Sequence, residues 1–302
     1  MRLSDILRLR STQIVSIMPY RTLGKTGLKV PIISCGGESI LKIKEKYKEA
    51  VELIQAAYQL GVKYYDTAAG YYPSEIRIGD ALRGFRKNVI IATKTHDRTY
   101  SGSMHLLEKS LNNLKTDYID IWQIHHIDRM GEVDEIFRPD GAMKALIEAR
   151  EQGIVRYLGV TGHYDPKPLV EAINRFDYDT ILMAINAADV HKHSFKINLL
   201  PEAVKKNLGI IAMKVCSRGR IFEPTYLNSM KDALEYVLTL PLSTAIIGHD
   251  NIKQLVENIR IAQEFKPLNE EQMKDLEDKT EKYAPLALFF RKDCEKFNPW
   301  WC

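Results

Sequence analysis

One alternation runs through the chain and restricts its fold more than any other feature. A short apolar run is followed by an amphipathic helix pattern, and this happens eight times. The first run is VPIISCGG (30–37). Its helix covers 45–61, with Ala50, Leu53, Ile54, Ala57 and Tyr58 on one face and Gly61 at the end. VKYYDTA (62–68) pairs with a helix over 74–85 that Ser74 is expected to cap, and VIIATK (89–94) pairs with 104–115. YIDIWQIHH (118–126) precedes 141–153, and VRYLGVTG (155–162) precedes 166–176. TILMAIN (180–186) leads to 199–209, IIAMKV (210–215) to 229–240, and STAIIG (243–248) to 251–265. Runs this apolar suit parallel strands buried on both faces. Eight such units predict an α/β chain folded as a closed (β/α)8 TIM barrel. The alternative, an open doubly wound sheet, would carry G-x-G-x-x-G after its first strand, and SCGGES (34–39) does not fit.

Two segments stand outside the alternation. YRTLGKTGLKVP (20–31) reads as an N-terminal β-hairpin placed to plug the barrel floor. After residue 265 comes a C-terminal helical and loop extension, NEEQMKDLEDKTEKY followed by FFRKDCEKFNPWWC. Residues 1–17 are expected to be a poorly ordered extension, and 18–302 a single domain, because no linker rich in Pro, Gly or Ser interrupts them. The net charge is +4, but acids and bases interleave along helical faces, which argues against a nucleic-acid partner. No run reaches the roughly 18 apolar residues that span a bilayer, and the N-terminus lacks a secretory h-region. The four cysteines, Cys35, Cys216, Cys294 and Cys302, form no C-x-x-C pair. A cytoplasmic location is the expectation.

The working face of such a barrel lies at the C-terminal ends of its strands. In YYDTAAGYYPSE (64–75), Asp66 falls near the end of the second strand and Tyr71 in the loop beyond it. Lys94 ends the third strand, and His125 with His126 ends the fourth. Adjacent strands lie about 4.8 Å apart, so these side chains can converge. Their chemistry is complementary. A phenol is a poor acid at neutral pH, and a neighbouring Lys94 ammonium would lower its pKa. Asp66 would hold that ammonium, and His125 would hydrogen-bond a substrate oxygen, giving a proton donor beside a carbonyl. Each residue alone has an ordinary structural role, as cap, packing, solvent exit or buried imidazole. The four together on three neighbouring junctions favour function. A metal is not expected. His125 and His126, as neighbours on a strand, would point to opposite faces, and His191-Lys192-His193 has no third ligand nearby.

The motifs YRTLGKTGLKV, GVKYYDTAAGYYPSEIRIGDAL, NVIIATK, LNNLKTDYIDIWQIHHID and STAIIGHDNIKQLVENI resemble the aldo-keto reductase superfamily, from about Tyr20 to Asn258. The resemblance implies NAD(P)H-dependent reduction of an aldehyde or ketone. Tyr71 matches the general acid, Lys94 and Asp66 its partner pair, and His125 the residue that orients the carbonyl.

It also implies cofactor contacts. Thr161-Gly162, with His163 next, stand where the family shows Ser-Asn against the nicotinamide amide. Asn186 stands for a Gln, and Met213 and Lys214 replace a stacking Tyr. Ser217 and Arg218 follow in the same loop. Gly248 and Gln254 occupy positions that are often Lys and Arg in NADPH-preferring members, while Glu257 and Asn258 match adenine contacts. Lys214, Arg218 or Lys253 would then meet a 2′-phosphate. NADPH is the expected cofactor, with NADH the alternative. The competing function is a cofactor-binding regulatory or structural protein of the same fold with little turnover. Phe137, Tyr226, Phe289, Trp300 and Trp301 favour an apolar or aromatic small-molecule carbonyl as substrate. The sequence does not name that substrate or the oligomeric state.

Overall fold

A computed structural model describes residues 18–223 and 227–291. Residues 1–17, Tyr226 and the tail bearing Cys294, Trp300, Trp301 and Cys302 lie outside the described residues.

A short antiparallel pair, β1 (Tyr20–Thr22) and β2 (Lys29–Pro31), opens the fold. Eight parallel strands follow: β3 (Ile33–Gly36), β4 (Tyr64–Asp66), β5 (Ile90–Thr95), β6 (Ile119–Ile124), β7 (Val155–Gly162), β8 (Thr180–Ala184), β9 (Gly209–Met213) and β10 (Thr244–Ile247). They close into a barrel in the order β10-β3-β4-β5-β6-β7-β8-β9. This is the (β/α)8 architecture that the eightfold alternation predicts. The helices are α1 (Tyr47–Gln59), α2 (Ser74–Leu82), α3 (Tyr100–Leu114), α4 (Met130–Ile136), α5 (Ala142–Glu151), α6 (Pro166–Arg175), α7 (Phe195–Asn198), α8 (Leu200–Lys205), α9 (Met230–Thr239), α10 (Ile252–Gln263), α11 (Glu270–Thr280) and α12 (Ala284–Ala287).

Successive side chains on a strand face opposite ways, and this sorts the core into two layers. Tyr64, Ala92, Ile121, Leu182 and Ile211 point into the barrel, where Leu23 and Val30 of the hairpin join them. Their neighbours Tyr65, Ile91, Trp122 and Ile181 pack outward against the helices. The hairpin therefore plugs the N-terminal end, as its sequence predicts. Its turn at Gly24 lies so close to Gly209 that a Cβ there would fall 2.3 Å from the Gly209 nitrogen. The same parity carries the inward column upward. Two residues beyond Tyr64, Ala92 and Ile121 come Asp66, Lys94 and Gln123, so three polar side chains sit at the top of the barrel interior.

Two expectations need correction, and one helix goes unmarked. Ser74 does not cap α2: it is the first helical residue, the cap position is Pro73, and the Ser74 hydroxyl accepts a bond of 3.0 Å from Thr67. Between β6 and the helix over 142–151 lies a further short helix, α4, that the alternation does not mark. Only Val133 and Ile136 of that helix are buried, too few to show a helical period. Finally, His125 and His126 do not alternate across a sheet. Strand β6 ends at Ile124 and His126 has φ 38°, which brings the two rings edge to face at 4.8 Å.

Candidate active site

The mouth of the barrel is organised around one buried ion pair. Lys94 is 1% exposed and Asp66 4%. The Lys94 ammonium lies 2.5 Å from Asp66 Oδ1 and donates at 2.6 Å to the Thr67 carbonyl. Gln123, beside Lys94 in the β5–β6 register, donates to Asp66 Oδ2 at 3.3 Å. Burial pushes the Asp66 carboxyl up, opposed by the Lys94 charge and the Gln123 amide. An ammonium this deep is tolerated only when paired.

Tyr71 returns over this pair through a tight turn, its amide bonded to the Ala68 carbonyl at 2.8 Å. Its hydroxyl is 3.3 Å from His125 Nε2. Lys94 Nζ lies 5.3 Å from the ring centroid and Lys42 Nζ 5.2 Å from it. All four predicted catalytic residues thus meet at one place. His125 is held by its neighbours: its amide donates to the Thr95 carbonyl at 2.8 Å, and Arg98 binds the carbonyls of both His125 and His126 at 2.9 Å. Arg98 is in turn paired with Glu132 of α4 at 2.9 Å, which gives that short helix its purpose.

The electrostatics differ from expectation in one respect. The Tyr71 phenol is not lowered. Burial, and then the carboxylates of Glu38 and Asp66, push it well above its usual value, with Arg218 acting the other way. His125 is driven well below the ordinary histidine value by burial and by the charges of His126 and Lys94. Across neutral pH the tyrosine therefore keeps its proton and the imidazole is uncharged. A protonated phenol bonded to a neutral imidazole can deliver a proton to an oxygen that gains negative charge.

The residues expected to hold a cofactor divide into two sets. Lys214, Ser217 and Arg218 follow β9, and Gly248 follows β10; these are the seventh- and eighth-strand loops, where barrels often seat phosphate. The Thr161 hydroxyl accepts from the His126 amide at 2.7 Å. His163 stacks on His126 at 5.7 Å, and its Nδ1 is buried with no hydrogen bond among the described residues. Burial holds its pKa down at about 4, against the pull of Asp128. In the other set, Asn186 and Gln254 are bonded within the framework. Both ends of the Asn186 amide are spent: its nitrogen donates to Lys214 O and Ser217 Oγ at 3.0 Å, and its oxygen accepts from Ala188 at 2.9 Å. Asn186 shapes the β9 loop instead of facing the mouth. Gln254 Oε1 accepts from the Asp250 amide at 2.8 Å and finishes the start of α10, where Asn251 is the cap. On α10, Lys253 and Glu257 are exposed and Asn258 is buried. Two cations on the β9 loop, next in the barrel to the β10 loop that carries Gly248, fit a phosphate-bearing dinucleotide.

Sequence reasoning missed Glu38, Lys42 and Gln123. Glu38 Oε1 pairs with Arg218 at 2.9 Å and with Lys42 at 3.3 Å, and Oε2 with Lys214 at 3.3 Å. Burial works to raise its pKa, but Lys214, Arg218 and Lys42 together bring it down to about 2. The only signal was a carboxylate directly after the first strand. Gln123 was visible as the one amide inside IDIWQI. Of the five aromatic residues expected to line the pocket, Phe137 and Phe289 fall among the described residues, and Phe289 lies 5.7 Å from Arg218 of the β9 loop. Phe137 lies under Arg175 at 5.9 Å, and Phe289 lies beneath Arg220 at 4.2 Å, so both stand by cations. Among the described residues no cluster of His, Cys, Asp and Glu could hold a metal ion, and no helix is long and apolar enough to cross a membrane.

A paired lysine thus lies beneath a tyrosine and a neutral histidine at the mouth of the barrel. Residues 36–232 match the Aldo/keto reductase family, and the chain belongs to that family. It is accordingly an NAD(P)-dependent oxidoreductase. The uncharacterized oxidoreductase YqkF of Bacillus subtilis is 26% identical over 87% of this chain and 97% of its own length. The 6-dehydroglucose reductase of Novosphingobium aromaticivorans is 30% identical over 72% of this chain and 76% of its own. In fold, the chain is similar to the holo form of aldo-keto reductase AKR11C1 from Bacillus halodurans, at a TM-score of 0.71, 23% identity, and coverage of 87% and 96% of the two chains.

Proposed function

We propose that this chain reduces aldehydes or ketones to alcohols with NADPH, that Tyr71 supplies the proton, and that Lys94, Asp66 and His125 support it. The observation that carries this reading is the 3.3 Å contact between the Tyr71 hydroxyl and His125 Nε2, directly above the Lys94–Asp66 pair. A phenol and an imidazole placed this close together, each able to donate to an oxygen that enters between them, mark where a carbonyl oxygen would be received. A bound nicotinamide dinucleotide supplies the hydride. The protein's part is then to place the carbonyl oxygen between the phenol and the imidazole, and to deliver the phenolic proton as charge builds there. Lys94 stabilises the phenolate that remains, and Asp66 holds Lys94 aimed. Lys214, Ser217, Arg218 and Gly248 would hold the phosphates, Thr161 and His163 the nicotinamide end, and Gln254, Glu257 and Asn258 the adenine end. Lys253, exposed on α10, remains as the one basic residue that suffices for a 2′-phosphate, which favours NADPH over NADH.

The test is oxidation of NADPH and NADH, followed at the nicotinamide absorbance, with a panel of neutral and charged aldehydes. Turnover with NADPH well above NADH is the expected result. Tight cofactor binding with no turnover of any carbonyl would overturn this reading in favour of a regulatory role.

The ionisations give a pH prediction. The phenol's pKa is raised, so it holds its proton until pH exceeds the ordinary tyrosine value. The imidazole's pKa is lowered, so it stays neutral until pH falls below the ordinary histidine value. The kcat for reduction is expected to stay flat from about pH 7 to pH 9. A steep fall inside that window would show that one of the two groups titrates there.

A further inference from the structure

The loops that seat phosphate in barrels of this kind are those after the seventh and eighth strands, here β9 and β10. The β9 loop is a tightly turned path, with φ of 59° at Lys214, 48° at Ser217, 55° at Arg218 and 82° at Gly219. Asn186 fixes it from below through the Lys214 carbonyl and the Ser217 hydroxyl. The β10 loop touches the β3 loop where Gly248 meets Ser39. Strands β9, β10 and β3 are neighbours in the barrel, so the three loops meet at one corner of the mouth. That corner contains two cations suited to a phosphate, Lys214 and Arg218. It also contains a carboxylate already bonded to both, because Glu38 reaches Arg218 at 2.9 Å and Lys214 at 3.3 Å. The segment that carries Glu38 is firmly anchored. Arg77, 1% exposed, binds the carbonyls of Ile40, Leu41, Ile43 and Lys44 at 2.8, 2.9, 2.5 and 2.9 Å.

Building on the reductase reading for the identity of the ligand, we infer that Glu38 is the resident anion of a phosphate cradle, and that a dinucleotide phosphate takes Lys214 and Arg218 by displacing its carboxylate. A carboxylate and a phosphate cannot share the same two cations without bringing like charges into contact. The entering phosphate must therefore break charge-assisted contacts before it forms its own. Glu38 keeps both cations paired and ordered in the free protein, and it lowers the affinity for the anion that replaces it. No bond is made or broken in this exchange.

The test is calorimetric titration of NADPH, and separately of inorganic pyrophosphate, into the wild type, Glu38→Gln, Glu38→Ser and Lys214→Met, with thermal unfolding checked for each. Glu38→Gln keeps the side-chain volume and removes the charge, and Glu38→Ser serves if the glutamine variant fails to fold. Both ligands are expected to bind the two Glu38 variants about tenfold more tightly than the wild type, and to lose affinity in Lys214→Met. Unchanged or weaker binding of both ligands in the Glu38 variants would overturn the inference. So would tightening of NADPH alone, because the effect would not then come from the phosphate. Tightening of pyrophosphate with no NADPH binding to any of the proteins would support the cradle and overturn the reductase reading.

Discussion

Replacing Tyr71 with phenylalanine is expected to lower kcat for carbonyl reduction by about 10³-fold while leaving cofactor affinity nearly unchanged. The change removes one oxygen. The described partner of that oxygen is His125 Nε2, at 3.3 Å, and the ring keeps its contacts with Lys42 and Lys94. Folding and the cofactor corner are therefore preserved, and only the proton donor is lost. A loss of about 10³ corresponds to roughly 4 kcal/mol of transition-state stabilisation. The split between kcat and dinucleotide Kd is the informative readout. A variant that lost both would have lost structure, whereas one that kept its kcat would move the proton donor to another group.

The largest stability effect is expected away from the chemistry, at Arg291. This guanidinium has no exposure and pairs with Asp189, which has none either. It also donates to the carbonyls of Asp189 at 3.1 Å, Lys192 at 2.5 Å and Ala184 at 3.0 Å. Asp189 meanwhile accepts from Ser194 Oγ at 2.6 Å and from the Phe195 and Lys196 amides at 3.1 and 2.8 Å. One ion pair thus ties the segment after α12 to the loop after β8. Changing Arg291 to methionine strands the Asp189 charge and is expected to cost about 3–5 kcal/mol, a fall in Tm on the order of 10 °C. Adding Asp189→Asn should recover part of the loss, since the buried charge is then gone. Thermal unfolding of the two single variants and the double variant measures this coupling directly. Additive effects would mean that the pair does not act as a unit.

These two sites differ in how well the sequence discloses them. The barrel strands are legible because parallel strands buried on both faces read as unbroken apolar runs, and Asp66, Lys94 and His125 interrupt those runs at their ends. Tyr71 is legible because the short Ala-Ala-Gly step leaves the phenol little room to go elsewhere. The Asp189–Arg291 pair is hidden. Its partners are 102 residues apart, and no local pattern marks an arginine that will end with no exposure. Glu38 is hidden for a related reason. CGGES reads as a turn, and the meaning of its acid depends on Lys214 and Arg218, which arrive 176 and 180 residues later. The direction of the Tyr71 shift was misread for want of three-dimensional charge. Lys94 was expected to dominate, yet its ammonium is committed to Asp66 and the Thr67 carbonyl. Burial and the nearby Glu38 prevail instead. The bonds of Asn186 to the β9 loop are hidden in the same way, because Lys214 and Ser217 follow 28 and 31 residues later.

The most direct test of the central claim uses NADPH carrying deuterium at the transferable C4 position of the nicotinamide. The wild type and Tyr71→Phe are incubated with an aldehyde, and the alcohol formed is analysed by mass spectrometry. The account predicts one deuterium on the former carbonyl carbon with the wild type, and about 10³-fold slower formation of the same labelled alcohol with Tyr71→Phe. Alcohol without the label, or label transfer at the same rate in both proteins, would contradict it.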